Sequence, residues 1–451
     1  MKVFFYLFGR SSVKKSLHQL FKLKPVQSVA LGVLGYVLIG TVLISFPLCQ
    51  KVHVSFIDNL FSIVSAVSTT GLTTVSVSQS YTWFGQFILL CMFQVGGWGF
   101  MTLTSFFFLV IRKDLNKSRE SILKTSYTLP QGFDIRQFII NTVRFTLIIE
   151  LTGTLLLWLF FHVAGKPDAL WSALFHTVSA FATAGFSLYD NSFMDFSTNI
   201  PVNIVISILC YLGAIGFIVI QDVYYGVVNK KKVTFTSKII VLVTLVVYIV
   251  GVLIFFLTEP SIQGKGFFDK IILSSFQVMT ASTTAGFNTL DFSVLSRCVL
   301  FLIIIVMVIG ASPSGTGGGI KTTSVSAFTG IINSIVRGRD SITLFGSMIP
   351  MHRVLSAVAA STVYVGMLTV GVFLLAYTES FEFEKIFFEA ASAIGTVGLS
   401  TGITSSLGLF GKINIIFLMY IGRVGPLAIG ISIFGKESRH VDDKHKEDLA
   451  V

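Results

Sequence analysis

The sequence predicts an all-α polytopic membrane protein: four tandem membrane–pore–membrane (M1-P-M2) units around one central pore, with eight spans and four re-entrant pore half-helices. Three observations predict it. Of the 451 residues, 53% are hydrophobic and 12% charged, with a mean hydropathy of +0.82, a balance foreign to soluble folds of this length. A nine-residue pattern recurs four times, ending two residues past Gly71, Gly185, Gly286 and Gly398, which marks tandem units. Lys and Arg alternate between crowded and sparse connections along the chain.

The units follow in order. A tail (1–27) carries six basic residues before the first span. In unit 1 (28–134), Ser28–Leu48 is long enough to span at about 1.5 Å per residue. Phe56–Val67 is apolar but too short to span, which fits a half-helix, and Trp83–Ile111 spans again. Unit 2 (135–237) repeats this as Phe138–Val163, Leu170–Phe181 and Ile200–Val228, and unit 3 (238–351) as Ile239–Leu257, Phe268–Met279 and Val299–Val336. Unit 4 (352–435) gives Val354–Tyr377, Phe383–Ala393 and Ile413–Phe434, before a tail at 436–451. Of 33 Lys and Arg, 23 lie in the two tails and in the segments Arg112–Arg136, Lys230–Lys238 and Arg337–Arg353. By the positive-inside rule these face the cytoplasm, with both termini. The net charge of +11 is thus a topology signal. No basic stretch is laced with exposed aromatics, so no nucleic-acid partner is expected. The four cysteines stand singly, without metal-ligand spacing.

Each repeated segment reads Ser/Thr-Ala-x-x-Thr-x-Gly-Leu/Phe-Thr/Ser/Asn. Counting the glycine as position 0, the core triplets are Thr69-Thr70-Gly71, Thr183-Ala184-Gly185, Thr284-Ala285-Gly286 and Thr396-Val397-Gly398. Non-helical backbone at membrane depth survives only where protein or a water-filled path surrounds it, so four such segments want a common centre. Glycine permits backbone angles that turn carbonyls inward, and rings of carbonyls replace the water shell of a cation. The preceding half-helices aim the negative ends of their dipoles at that centre. Packing motifs of small residues are the alternative. A second fourfold echo follows 24 to 28 residues later: Gly96, Gly213, Gly310 and Gly422, where small residues let helices approach or kink.

Unit 3 breaks the symmetry. Gly310, Pro313, Gly315, Gly317, Gly318 and Gly319 interrupt its last span, too many breakers for a continuous helix. The loop 310–323, with Ser312, Ser314, Thr316 and Lys321, is read as a gate below the filter; a passive kink is the alternative. It is no phosphate loop, because Ile320 separates glycine from lysine. Arg423 sits inside the last span, where charge is expensive and marks a cavity or partner; it is expected to hold the loop shut. Lys321 has snorkelling as its alternative. His162 and His176 are placed near the outer interface without acidic neighbours, so no enzyme site is expected.

The four Thr-x-Gly segments, the glycine loop and Tyr420-Ile-Gly-Arg-Val-Gly-Pro426 together resemble the Trk/Ktr/HKT superfamily of potassium transporters. In length the chain is most similar to the KtrB-type membrane subunit. The resemblance implies potassium uptake through a filter at Gly71, Gly185, Gly286 and Gly398, with sodium-coupled or sodium-conducting transport as the alternative. It also implies a gate made by loop 310–323 and Arg423, K⁺ as cargo with Na⁺ as the alternative, and no organic cofactor. Its expected partners are a second copy of the chain and a separate RCK-type nucleotide-binding regulatory subunit, in the cell membrane.

Overall fold

The computed structural model describes residues 25–99, 105, 135–230, 232–339 and 341–425. The tail up to residue 24, the C-terminal tail and most of the basic segment Arg112–Arg136 lie outside the described residues, as do the last nine residues of the span expected at Ile413–Phe434. The described chain is mostly helical. Leaving aside single-turn helices, it runs α1 (Pro25–Ile44), α2 (Phe56–Val67), α3 (Trp83–Trp98), α4 (Ile135–Val163), α5 (Ala169–Phe181), α6 (Ile200–Ile215), α7 (Phe217–Asn229) and α8 (Phe235–Thr258). It continues through α9 (Phe267–Thr283), α10 (Arg297–Val308), α11 (Thr322–Val336), strands β1 (Thr343–Leu344) and β2 (Ser347–Met348), α12 (Met351–Thr378), α13 (Phe383–Ile394) and α14 (Leu409–Val424).

Among these, α4, α8 and α12 are long and apolar enough to cross a membrane. Their outward faces are those of helices solvated by hydrocarbon. Along α8, Leu242, Leu245, Val246, Ile249, Leu253 and Leu257 all stand exposed, at helical spacing on one side. The four short helices α2, α5, α9 and α13 are the reverse: from their second turn onward most of their side chains are buried. The ends are specified locally. Ser55 caps α2 by accepting the Asp58 N–H, and its hydroxyl donates to the Asp58 carboxylate at 2.6 Å, a reciprocal variant of the capping box. Thr82, Asn199, Thr234 and Ser296 cap α3, α6, α8 and α10 in the usual way.

One expected span is corrected. Ile200–Val228 is not one straight helix: α6 and α7 meet at 98°, with Gly216 between them at φ 92°. Val299–Val336 is two helices, α10 and α11, separated by the glycine loop as its breakers predict. A hairpin at 343–348, read in the sequence only as part of a connection, turns through Phe345 and Gly346, both at positive φ, the pattern of a type I′ turn.

The second glycine echo has a packing cause. A methyl group on Gly96, Gly213 or Gly422 would run into the carbonyl oxygen of Val67, Phe181 or Ile394 respectively. Each of those carbonyls lies four residues before a filter glycine, so the echo lets α3, α6 and α14 lie flat against the ends of α2, α5 and α13. In unit 3 the corresponding Gly310 meets Gly318 of its own loop instead. Gly213→Ala is expected to cost about 1–3 kcal/mol through overpacking, seen as a lower thermal midpoint of the detergent-purified protein. Gly366→Ala on α12, where the added carbon meets nothing within 4 Å, should leave the midpoint in place.

Candidate ion pathway

The four half-helices end identically. The N–H of Thr69, Thr183, Thr284 and Thr396 donates to the carbonyl three residues back, at 3.0, 3.1, 3.3 and 3.1 Å. The next N–H donates to the carbonyl five residues back, at 2.8, 2.8, 2.9 and 2.8 Å. This bond pair is a Schellman termination. It requires a left-handed residue, and the four threonines take that role at φ 55°, 51°, 56° and 50°. Glycine or asparagine is normal there; a β-branched residue is an outlier that the surroundings must enforce. In each copy the chain then turns through the glycine two residues on, Gly71, Gly185, Gly286 or Gly398, at φ 93°, 68°, 81° and 91°.

The four segments close on one another in order. A Cβ placed on Gly71 would lie 2.5 Å from the Ala184 carbonyl oxygen, and one on Gly185 would lie 2.6 Å from that of Ala285. One on Gly286 would strike the Val397 carbonyl, and one on Gly398 that of Thr70. Each glycine thus faces the carbonyl preceding the next unit's glycine, and the fourth returns to the first. The triplets Thr69–Gly71, Thr183–Gly185, Thr284–Gly286 and Thr396–Gly398 therefore form one ring. No residue in any of the nine-residue copies is charged, so what the ring offers a cation is oxygen dipoles.

The glycine loop lies against the threonine side of this ring. The Thr316 hydroxyl is 2.9 Å from that of Thr183, and the Thr69 hydroxyl donates to the Thr316 carbonyl at 3.2 Å. The Gly318 N–H donates to Thr284 Oγ1 at 3.3 Å, and a Cβ on Gly318 would strike Thr396 Oγ1. Thr316 to Gly318 thus approaches all four ring threonines. The loop closes at its base, where the Ala311 N–H donates to the Gly318 carbonyl at 3.0 Å and Gly310 and Gly319 sit too close to admit a side chain.

Three predicted gate residues, Ser312, Ser314 and Gly315, face away from the ring. The Ser312 hydroxyl donates to the Ala214 carbonyl at 2.7 Å, and Ser314 Oγ accepts the Ile218 N–H at 3.1 Å. Gly315 packs on Ala214, and Gly216 on Pro313 and Ser314. This half of the loop fills the bend between α6 and α7, which gives the bend its cause.

Two cations hold the loop from the sides. Arg423 donates to the Thr316 carbonyl, to the Gly96 carbonyl and, at 3.1 Å, to Thr69 Oγ1. Lys321 Nζ donates to the Gly317 carbonyl at 2.7 Å. Arg423 therefore bridges the loop, one ring threonine and the end of α3.

On the opposite side of the ring, the connections are tied by polar contacts. Asp190 accepts from Ser76, Ser78 and Gln79, which bridges the segments following the first two filter strands. The Ser76 hydroxyl bond, followed by those from Ser78 and Gln79, keeps its carboxyl below the usual range against the opposing effect of partial burial. Lys412 at the start of α14 pairs with Asp58 of α2 at 2.7 Å. His176 is fully buried in the protein, behind the second strand. Asp222 accepts from Thr234 and Ser237 and ties α7 to α8.

Comparison with known proteins agrees with this architecture. The TrkH family profile, described as cation transport protein, matches residues 32–438. The chain is 34% identical over 429 residues to the potassium/sodium uptake protein NtpJ of Enterococcus hirae, covering 93% of this chain and 94% of that protein. It is 32% identical over 424 residues to the Ktr system potassium uptake protein B of Bacillus subtilis, covering 92% and 94%. The crystal structure of the potassium transporter TrkH from Vibrio parahaemolyticus superposes with a TM-score of 0.67 at 22% identity, covering 89% of this chain and 84% of that one. The chain belongs to the TrkH cation transport protein family, as a membrane subunit of the Trk/Ktr type, a transporter and not an enzyme.

Proposed function

We propose that this chain is the ion-translocating subunit of a potassium-uptake system of the cell membrane. The observation that carries the reading is the closed ring of Thr-x-Gly segments, in which each filter glycine approaches the next unit's carbonyl. Such a ring suits a dehydrated cation, since carbonyl dipoles replace its water shell. In this reading the four M1-P-M2 units divide at 28–134, 135–237, 238–351 and 352–435, and the filter comprises the four triplets. Loop 310–323 with Arg423 forms the gate, and both termini lie in the cytoplasm. K⁺ is the cargo. Relatives named for Ktr potassium uptake support potassium as the cargo, and in this reading the chain works as a homodimer under the control of a separate RCK-type regulatory subunit.

The name of the Enterococcus relative includes sodium, so Na⁺ coupling or conduction is the second reading. Both are tested by rubidium uptake in a potassium-uptake-deficient bacterium expressing the full chain with a Ktr-type regulatory subunit. Saturable uptake above the empty-vector level is expected. Its absence at normal membrane abundance removes the reading, and a requirement for external Na⁺ selects the second.

A further inference from the structure

Nine residues before the filter glycines, just ahead of the nine-residue repeat, stand Ser62, His176, Gln277 and Glu389, four different residue types. In three units they make one contact. Nε2 of His176 accepts the Leu188 N–H at 3.2 Å. The partners of Gln277 fix its amide so that Oε1 accepts the Thr289 N–H at 3.2 Å. Oε1 of Glu389 accepts the Thr401 N–H at 2.9 Å. Leu188, Thr289 and Thr401 all lie three residues past their filter glycine.

Each acceptor takes a hydroxyl as well. Ser187 reaches His176 at 3.0 Å, Thr289 reaches Gln277 at 2.6 Å, and Ser400 and Thr404 reach the two oxygens of Glu389 at 2.5 and 2.8 Å. His176, Gln277 and Glu389 are all fully buried. The imidazole tautomer follows from its partners. Nδ1 faces the Ser172 carbonyl at 2.7 Å, which only accepts, so Nδ1 carries the hydrogen and Nε2 is free to accept. What unites imidazole, amide and carboxylate here is a buried acceptor at one height on the half-helix. Unit 1 departs: Ser62 is too short to reach the strand, and its Oγ takes the Tyr81 hydroxyl at 3.3 Å.

We propose that His176, Gln277 and Glu389 are positioning residues of the filter, each pinning the end of its strand beyond the glycine from behind. The fourth strand is held by the most donors, because Glu389 also receives the Thr401 hydroxyl at 3.4 Å. The inference rests on the filter reading above: a strand pinned at both ends keeps its carbonyls spaced for the larger ion, and a slack one closes on a smaller ion.

Glu389→Gln keeps one oxygen for the Thr401 N–H and for Ser400, while Thr404 can reverse its hydroxyl toward the amide. Glu389→Ala removes every acceptor. In the uptake assay with the full chain and its regulator, Glu389→Ala is expected to raise the KM for Rb⁺ about tenfold, corresponding to the loss of about one net hydrogen bond or more. It should weaken exclusion of Na⁺ in parallel, with Glu389→Gln within twofold of the unsubstituted protein on both. If Glu389→Ala does not reach the membrane, the Ser400→Ala, Thr404→Val pair decides by the same two readouts. Unchanged KM and Na⁺ exclusion in the variant that accumulates overturns the proposal. So does a Gln variant as impaired as the Ala variant, which would assign the effect to charge. An unsubstituted protein that carries no Rb⁺ instead removes the filter reading itself.

Discussion

Gly286→Asp abolishes rubidium uptake while the protein still reaches the membrane: this is the expected result with the largest effect. Gly286 sits at φ +81°, and any Cβ there would collide with the Val397 carbonyl and stand 3.3 Å from the Cα of Gly185. Aspartate adds a carboxylate inside a ring otherwise made of neutral dipoles, where a cation would bind tightly enough to stop leaving. A loss of at least about a hundredfold in Vmax is expected, since displacing one ring carbonyl costs about 3 kcal/mol or more of desolvated ion coordination. Gly71→Asp should behave alike, because Gly71 faces Ala184 in the same way. Uptake at the unsubstituted rate in either variant would mean that ions do not pass through the ring.

Arg423→Ala is expected to raise uptake measured without the regulatory subunit. The side chain makes three donations that join the loop, Thr69 and the end of α3. Hydrogen bonds from charged donors contribute about 1.5–3 kcal/mol each. Losing even one should therefore shift a closed–open equilibrium about tenfold or more toward open. Arg423→Lys, with one charge but no fork to reach Thr316 and Gly96 together, should fall between. A flux in Arg423→Ala equal to that of the unsubstituted protein would make the arginine a strut and not a latch.

How much was legible in the sequence differs element by element. Phe56–Val67 reads to the residue, because its apolar run opens at Phe56 and the Thr-x-Gly pattern follows its end. The left-handed threonines were not legible: β-branched residues avoid that region, and only the repeated Schellman bonds reveal why threonine occupies it. The bend between α6 and α7 was hidden because the run Ile200–Val228 is long and mostly apolar, and what opens it is Ser314 from another unit. Ser312, Ser314 and Gly315 fall in the predicted gate but brace that bend, whereas Thr316 to Gly318 meets the ring. A contact pattern of this kind is set by tertiary packing across a hundred residues, beyond any local signal. The acceptors behind the strands escaped notice for another reason: three side-chain types share one hydrogen-bonding role, and a search for identical letters passes over them.

The wedge of loop in the elbow of α6 and α7 has a mechanical consequence. Ser314 is bonded to the first turn of α7 through both its hydroxyl and its carbonyl, while Thr316, two residues on, touches Thr69 and Thr183. Withdrawal of Thr316 must either tear Ser314 from that turn or swing the helix along with it. The middle of α7 is roped to the start of α8 through Asp222, so the swing would be geared into the next unit, and a pull applied there would run back along the same train to the mouth of the pore.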